Sequence, residues 1–176
     1  DGSMDFATPI SVYETTSDPG SIVAERVHFV VEFPSQGRVR LVQLVLLSNF
    51  SDRALAPAAA RCADFILQSM RREDGRLLHS WRGGQARLDA YLDDYACLTS
   101  ALVSLYEADF REQWIVEAVR TAELVLELFR DRDAGGFVFT AHDHESLITR
   151  QKDLYDNAVP SGNSMAALAL MRLGKL

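Results

Sequence analysis

An internal repeat with a period of about 60 residues is the feature that most constrains how this chain can fold. The segment RCADFILQSMRRED at residues 61–74 returns as RTAELVLELFRDRD at residues 120–133. A second pair, ACLTSALVSL from Ala96 and GNSMAALALM from Gly162, is set slightly further apart because the second intervening loop is longer. Each period holds two helices and a long loop, so the repeat predicts an α/α hairpin that occurs twice.

The apolar residues of both copies recur with a period near 3.6 residues, which is typical of amphipathic helices. We expect helices at 58–71, 92–108, 113–129 and 162–173, each with one apolar stripe that packs against a partner. Hairpins of this kind stack into solenoids or close into toroids, because an isolated hairpin cannot bury both of its faces.

The N-terminal third of the chain has an apolar period close to two, which is typical of strands. Strands are expected within 10–15, 22–33 and 38–48, and Pro34 to Gly37 is expected to form the turn of a hairpin between the last two. The predicted fold class is therefore α+β, with an N-terminal antiparallel β segment followed by two α/α hairpins.

This change of period divides the chain into parts. Residues 1–4 are expected to be an expression scar, residues 5–56 a β-rich segment and residues 57–176 an α/α-hairpin domain. The start of the chain lacks the basic and apolar regions of a signal peptide, and no apolar run approaches the roughly 18 residues that span a bilayer. A cytoplasmic protein without a membrane partner is therefore expected.

Charge and cysteine content argue against other classes of function. The net charge is −7, and an acidic chain repels phosphate backbones, so no nucleic-acid partner is expected. Cys62 and Cys97 lie in apolar helical patterns and are expected to be buried free thiols. There is no CxxC pair, and His142 and His144 are expected in a solvated loop, so neither a metal site nor a cofactor is predicted.

Candidate binding residues of the first repeat begin in the polar segment 79–85, which is expected to be a loop. It carries Trp81 and Arg82, and a Trp ring stacks on sugar faces while an Arg fork binds oxygens. An alternative interpretation needs no ligand: the Trp81 ring packs against the protein, and the Arg82 side chain extends into solvent.

The start of the second helix carries Asp93, Asp94 and Tyr95. One of the two carboxylates is expected to cap the helix, which leaves the other to accept hydrogen bonds from substrate hydroxyls. Asp94 is the candidate general base, since isomerisation next to a carbonyl needs a base within reach of the carbon acid.

A polar segment also precedes the last helix of the second repeat. Either Ser161 or Asn163 is expected to be its cap. Together with Asp156 and Asn157 these side chains exceed what one cap requires, so all four are candidate substrate-binding residues.

Four stretches between residues 77 and 174 resemble one protein family, namely LLHSWRGGQA, YLDDYACLTSALVSLYEA, LELFRDRDAGGFVFTA and LYDNAVPSGNSMAALALMRL. Long members of this family carry a thioredoxin-like domain followed by an α/α toroid that is similar to N-acylglucosamine 2-epimerase. The resemblance implies part of an (α/α)6 toroid with a central, sugar-sized cavity. It also implies a pocket built from Arg82, Asp93, Asp94, Tyr95, Asp156, Asn157, Ser161 and Asn163.

The chain departs from the family in three ways. It lacks the thioredoxin-like domain with its dithiol, it holds only about two of six hairpins, and His79 stands where the family's loop is expected to carry Arg. The favoured hypothesis is therefore a carbohydrate-handling toroid fragment that is vestigial or catalytically incomplete. One alternative is a structural, self-associating protein, and the other is an epimerase-like isomerase whose site a second subunit completes.

Two further expectations concern assembly. The loops that carry Trp81, Asp94, Asp156 and Asn163 are expected to share one side of the helical layer, as alternate loops of a toroid do. A homodimer is expected, because two hairpins leave apolar edges uncovered and two-fold symmetry is the commonest way to cover them.

Overall fold

The computed structural model describes residues 38–40, 55–82, 84–144, 151–156 and 160–176. The strands expected within 10–15 and 22–33, and most of the one expected within 38–48, lie outside the described residues. The described elements are, in chain order, β1 (Arg38–Arg40), α1 (Leu55–Ser69), β2 (Leu78–Arg82), β3 (Gln85–Asp89), α2 (Leu92–Asp109), α3 (Glu112–Leu128) and α4 (Gly162–Leu173).

The fold is α+β, as the change of apolar period predicts. The four helices occupy the positions that the 3.6-residue pattern indicates, with α1 beginning three residues earlier than expected and α4 matching its expected bounds. The first and second hairpins are α1 with α2 and α3 with α4, in the order that the repeat requires.

The repeat is also visible in the turns that follow α1 and α3. After each helix the chain reverses and forms an isolated antiparallel bridge, Arg71 with Leu77 in the first hairpin and Arg130 with Phe137 in the second. Gly75 has φ +87° in the first reversal, which is a left-handed conformation that residues with a Cβ rarely adopt. Equivalent turns at equivalent places confirm that the two halves are copies of one hairpin.

The segment 79–85 is a β-hairpin and not the polar loop that its composition suggests. β2 and β3 pair in antiparallel register, and Gly84 lies in the tight turn that joins them. Gly84 has φ +79°, and such turns need positive φ, which is why glycine is found there. β1 adds a third strand, because Val39 is paired with Trp81 of β2.

α2 is the central helix. Twelve of its 18 residues are buried, because α1, α3 and α4 all pack against it. Arg172 near the end of α4 fastens that helix to α2 through hydrogen bonds to Ser100 Oγ (3.1 Å), Ser104 Oγ (2.7 Å) and Glu107 Oε2 (2.8 Å). Since α1, α3 and α4 all contact α2, the packing of α2 positions the residues at its N-terminal end.

The cysteine prediction is confirmed for one residue and only partly for the other. Cys97 of α2 is buried, and burial, with smaller effects of Asp93 and Asp94, raises the pKa of its thiol to about 12. Cys62 of α1 is free but only half-buried, and burial raises its pKa as well. Both thiols are therefore protonated and weakly nucleophilic at neutral pH.

No helix in the described ranges is both long enough and apolar enough to cross a bilayer.

Candidate functional site

The N-terminal ends of α2 and α4 lie against each other. A β-carbon on Gly162 would stand 3.2 Å from the side chain of Leu92 and 3.3 Å from the backbone nitrogen of Asp93. Glycine at position 162 therefore lets the two helix starts approach closely. We call residues 91–94 and 161–163 the α2–α4 junction.

The loop that follows α3 covers one side of the junction. The backbone N–H of Leu92 donates to the carbonyl of Phe139 (3.0 Å), and the ring of Tyr91 stacks on the Phe139 ring at 4.8 Å with an interplanar angle of 11°. His79 of β2 meets the Tyr91 ring edge-on at 5.2 Å, and His144 lies at 6.0 Å from it. Tyr91 is thus the centre of an aromatic cluster that joins the loops of both hairpins.

Asp94 is the carboxylate that caps α2. Its Oδ2 accepts a hydrogen bond from the backbone N–H of Tyr91 (2.9 Å) and lies 2.8 Å from Nδ1 of His79. The carboxylate is 3% exposed, so neither contact is weakened by competition from water. Through these contacts Asp94 stabilises the start of α2, and its role as a general base stays a prediction.

Asp93 is the carboxylate at the start of α2 that does not cap the helix. Its Oδ1 is buried and accepts no hydrogen bond from any of the residues that the structure describes. Burial raises the pKa of Asp93 and the neighbouring Asp94 raises it further, while the backbone N–H groups of Asp94 and Asp93 lower it by less. A buried acceptor without a donor is uncommon in folded proteins, and it calls for an explanation such as a bound molecule.

Trp81 and Tyr95 contact the core. The half-buried Trp81 ring meets Phe65 of α1 edge-on at 5.3 Å. Tyr95 is 1% exposed, and its hydroxyl accepts from the backbone N–H of Leu77 (2.9 Å). Packing accounts for both rings, so their substrate-binding roles stay predictions, while the Arg82 side chain lies outside the described residues.

Ser161 caps α4, as one of the two predicted alternatives states. Its Oγ accepts from the backbone N–H of Ser164 (3.2 Å), and its own N–H donates to Asp156 Oδ1 (2.9 Å). That backbone donor lowers the pKa of Asp156. Asn157, the neighbour of Asp156, lies outside the described residues.

Asn163 ties the second hairpin's loop to α4. Its Oδ1 accepts from the Phe137 N–H (2.8 Å), and its Nδ2 donates to the carbonyls of Phe137 and Asp153 (both 2.9 Å). The structure thus brings Asp93, Asp94, Ser161 and Asn163 to the two adjoining helix starts, with Asp156 bonded to Ser161.

The prediction of a solvated histidine loop is wrong for His144. Its ring lies against Tyr91, and its Nε2 is buried with no hydrogen-bond partner in the described part of the chain. His142 is exposed, but its Nε2 lies 3.0 Å from the carbonyl of Arg130. The pairing of His144 with Tyr91 joins residues more than 50 positions apart, so no local pattern indicates it.

A separate open groove of about 260 Å³ lies between the end of α1 and α3. Charged side chains near the groove form ion pairs: Glu117 pairs with both Arg71 (2.5 Å) and Arg120 (2.8 Å). Among the described residues that line the groove, none has a buried polar side-chain atom without a hydrogen-bond partner, in contrast to Asp93 at the junction. Its lining residues are Leu67, Arg71, Asp74, Gly75, Leu77, Arg120, Thr121, Glu123, Leu124 and Glu127.

Comparison with known proteins supports the family resemblance in part. Spermatogenesis-associated protein 20 from rat, human and mouse is in each case 39% identical over 84 residues, which cover 47% of this chain and 11% of the relative. An uncharacterized protein of Caenorhabditis elegans is 27% identical over 145 residues, or 78% of this chain and 19% of that protein. No protein-family model matches the chain.

These relatives are much longer than the chain, which spans 11% of the mammalian proteins and 19% of the nematode protein. The matches do not show the similarity to an epimerase toroid. Over about half of its length the chain is homologous to spermatogenesis-associated protein 20, and this homology supports the resemblance to the thioredoxin-domain-containing family.

Proposed function

We propose that the chain is a carbohydrate-handling fragment that binds a neutral sugar at the α2–α4 junction and does not complete a reaction by itself. The observation that carries the proposal is the buried, unpartnered Oδ1 of Asp93. A sugar hydroxyl donates the hydrogen bond that this oxygen lacks, and so removes the cost of leaving a buried acceptor unsatisfied.

The neighbours of Asp93 support a sugar over other ligands. The stacked rings of Tyr91 and Phe139 offer an apolar surface of the kind that packs against the C–H face of a sugar ring. Asp94 and Asp156 add negative charge near the same helix starts, which disfavours a phosphorylated or acidic ligand. Ligand sites typically combine an apolar lining with a few oriented polar groups in this way.

The contacts of Asp94 support the proposal that the chain does not complete a reaction by itself. A general base must be able to reach the proton that it removes, but Asp94 Oδ2 is already engaged by the Tyr91 N–H and by His79. An isomerase completed by a second subunit remains the alternative function. Turnover that appears only at concentrations where the chain self-associates would favour it.

Asp93→Asn tests the proposal, because asparagine keeps the shape and removes the charge. Ligand-detected NMR with glucose, galactose and mannose should show binding to the unmodified chain and binding weakened by about tenfold or more in the variant, since hydrogen bonds to charged groups are the strong ones. Glucose 6-phosphate should bind more weakly than glucose. Glu123→Gln, a charge-matched change at an exposed position of α3, is the control and should bind as the unmodified chain does.

Stability gives the same variant a second readout. The pKa of Asp93 is raised in the folded state, so its ionisation opposes folding as the pH rises through that pKa. Asp93→Asn should therefore be as stable as the unmodified chain at neutral pH, or more stable, while it loses binding. Failure of the unmodified chain to bind any of the three sugars, or equal losses in Asp93→Asn and Glu123→Gln, would contradict the proposal.

We also propose that the chain forms a homodimer. Support comes from apolar side chains that remain exposed on the two helices of the second hairpin, because monomers rarely expose broad apolar patches. These residues are Val116, Val119 and Leu126 on α3 and Leu168 and Met171 on α4.

Light scattering after size exclusion at micromolar concentration should give twice the chain mass of 19.6 kDa. Val119→Lys should shift the mass toward the monomer, because it places a charge within the exposed apolar face of α3. A mass of 19.6 kDa for the unmodified chain would refute the dimer.

A further inference from the structure

His144 of the Tyr91 cluster, like Asp93 of the junction, has a buried polar atom without a hydrogen-bond partner among the described residues. Its Nε2 is buried and makes no hydrogen bond with any described residue, while its ring lies 6.0 Å from that of Tyr91. The cost of an unsatisfied buried nitrogen is tolerated in folded proteins mainly where a bound water, ion or ligand satisfies it.

An ion pair between the loops of the two hairpins holds His144 in place. Arg76, just before β2, donates from Nη2 to Oδ1 of Asp143 (2.6 Å) and from Nη1 to the other carboxylate oxygen. A two-point contact of this kind fixes the direction of the carboxylate as well as its distance. The Arg76 side chain is 15% exposed and that of Asp143 is 56% exposed, so the arginine is shielded from water and the carboxylate is not.

The turn itself adds a second restraint on His144. The backbone N–H of His144 donates to the carbonyl of Ala141 (3.1 Å), and Ala141 is buried against the core. The backbone of His144 is therefore held through the residues that precede it, with Asp143 anchored to the first hairpin and Ala141 to the core. A residue whose backbone is restrained in this way loses less conformational entropy when it binds a ligand.

We propose that His144 is a second residue that contacts the sugar bound at the α2–α4 junction, and that the Arg76–Asp143 pair positions it. The inference rests on the proposed function, because it assigns a further contact to the same sugar. A hydroxyl group both donates and accepts, so it satisfies the Nε2 of a neutral imidazole in either tautomer. With Asp93 as an acceptor and His144 beside the Tyr91 ring, the sugar is held by two polar contacts and one aromatic face.

His144→Phe tests the assignment, since phenylalanine keeps a ring beside Tyr91 and removes both nitrogens. Binding of glucose, galactose or mannose, measured by NMR titration, should weaken by about threefold to tenfold, as expected for one hydrogen bond. His142→Phe is the matched control, because His142 is exposed two residues away, and its affinity should stay within about twofold of the unmodified chain.

A spectroscopic readout separates binding from a merely structural role. In the unmodified chain, the ring-nitrogen NMR signals of His144 should move when the sugar is added, while those of His142 stay in place. Arg76→Gln should change the His144 ring signals before any sugar is added and should weaken sugar binding, because the loop loses its ion pair.

The outcomes distinguish this inference from the proposed function. If Asp93→Asn loses binding but His144→Phe does not, the His144 assignment is overturned and the sugar site stands. If His144→Phe loses binding and Asp93→Asn does not, the His144 assignment holds and the role of Asp93 is overturned. His144 ring signals that do not respond to a sugar that binds would also overturn the assignment.

Discussion

Replacement of Trp114 by alanine is expected to cost about 3 to 5 kcal/mol of unfolding free energy, the usual penalty for removing a large buried aromatic side chain. Trp114 lies in the first turn of α3 and is fully buried in the core that α2 shares with its neighbours. Its Nε1 also donates to Asp109 (3.3 Å), and the Arg111 guanidinium lies 4.6 Å from its ring centroid. The truncation removes all these contacts and leaves a cavity where α2 turns into α3.

Urea unfolding followed by circular dichroism measures this loss. Val116→Ala is the matched control, because Val116 is on the same helix but 38% exposed, and its loss should stay below about 1 kcal/mol. A loss in Trp114→Ala no larger than the control's would contradict the packing of α3 against α2. Since domains of this size are stable by roughly 5 to 15 kcal/mol, the variant should be partly unfolded even without urea at elevated temperature.

Replacement of Asp94 by alanine is expected to have the next largest effect, about 2 to 3 kcal/mol of unfolding free energy. The change removes the acceptor for the Tyr91 N–H at the start of α2 and leaves His79 without its carboxylate. The loss of a helix cap and the loss of the carboxylate contact of His79 are both costly, and here they coincide on one oxygen.

Asp94→Asn discriminates between a structural and a catalytic Asp94. Its amide oxygen can still accept from the Tyr91 N–H, so denaturant unfolding should show a smaller loss than for Asp94→Ala. A catalytic Asp94 predicts the opposite pattern, with little change in stability and complete loss of any turnover in the asparagine variant. Equal stability of Asp94→Ala and the unmodified chain would contradict the capping role.

The helices could be predicted from the sequence because their signal is local. The 3.6-residue apolar period and the repeat of residues 61–74 at 120–133 give all four helices with small errors at their ends. The polar composition of 79–85 predicts a loop instead of the β2–β3 hairpin, although the Gly-Gly pair is itself a hairpin-turn signal. The pairing of Val39 with Trp81 could not be foreseen, since it joins distant parts of the chain.

The candidate site could be predicted only in part. The sequence indicates that one of Asp93 and Asp94 caps α2, but it does not show which one. In the structure His79 of β2 contacts Asp94, and Asp93 is the carboxylate with an oxygen that lacks a partner among the described residues. Residue type alone also cannot tell an aromatic ring that faces a ligand from one that packs in the core, as for Tyr95. The contacts of Tyr91 with Phe139 and His144 are long-range, so only the fold reveals them.

The most direct test of the proposed sugar site is an NMR titration of the isotope-labelled chain with glucose, galactose and mannose, in which the backbone amide signals report where each sugar binds. The account predicts shifts concentrated at residues 91–94 and 161–163, and their loss in Asp93→Asn. Shifts confined to the groove residues between α1 and α3, such as Arg71 and Arg120, or no shifts with any of the three sugars, would contradict it.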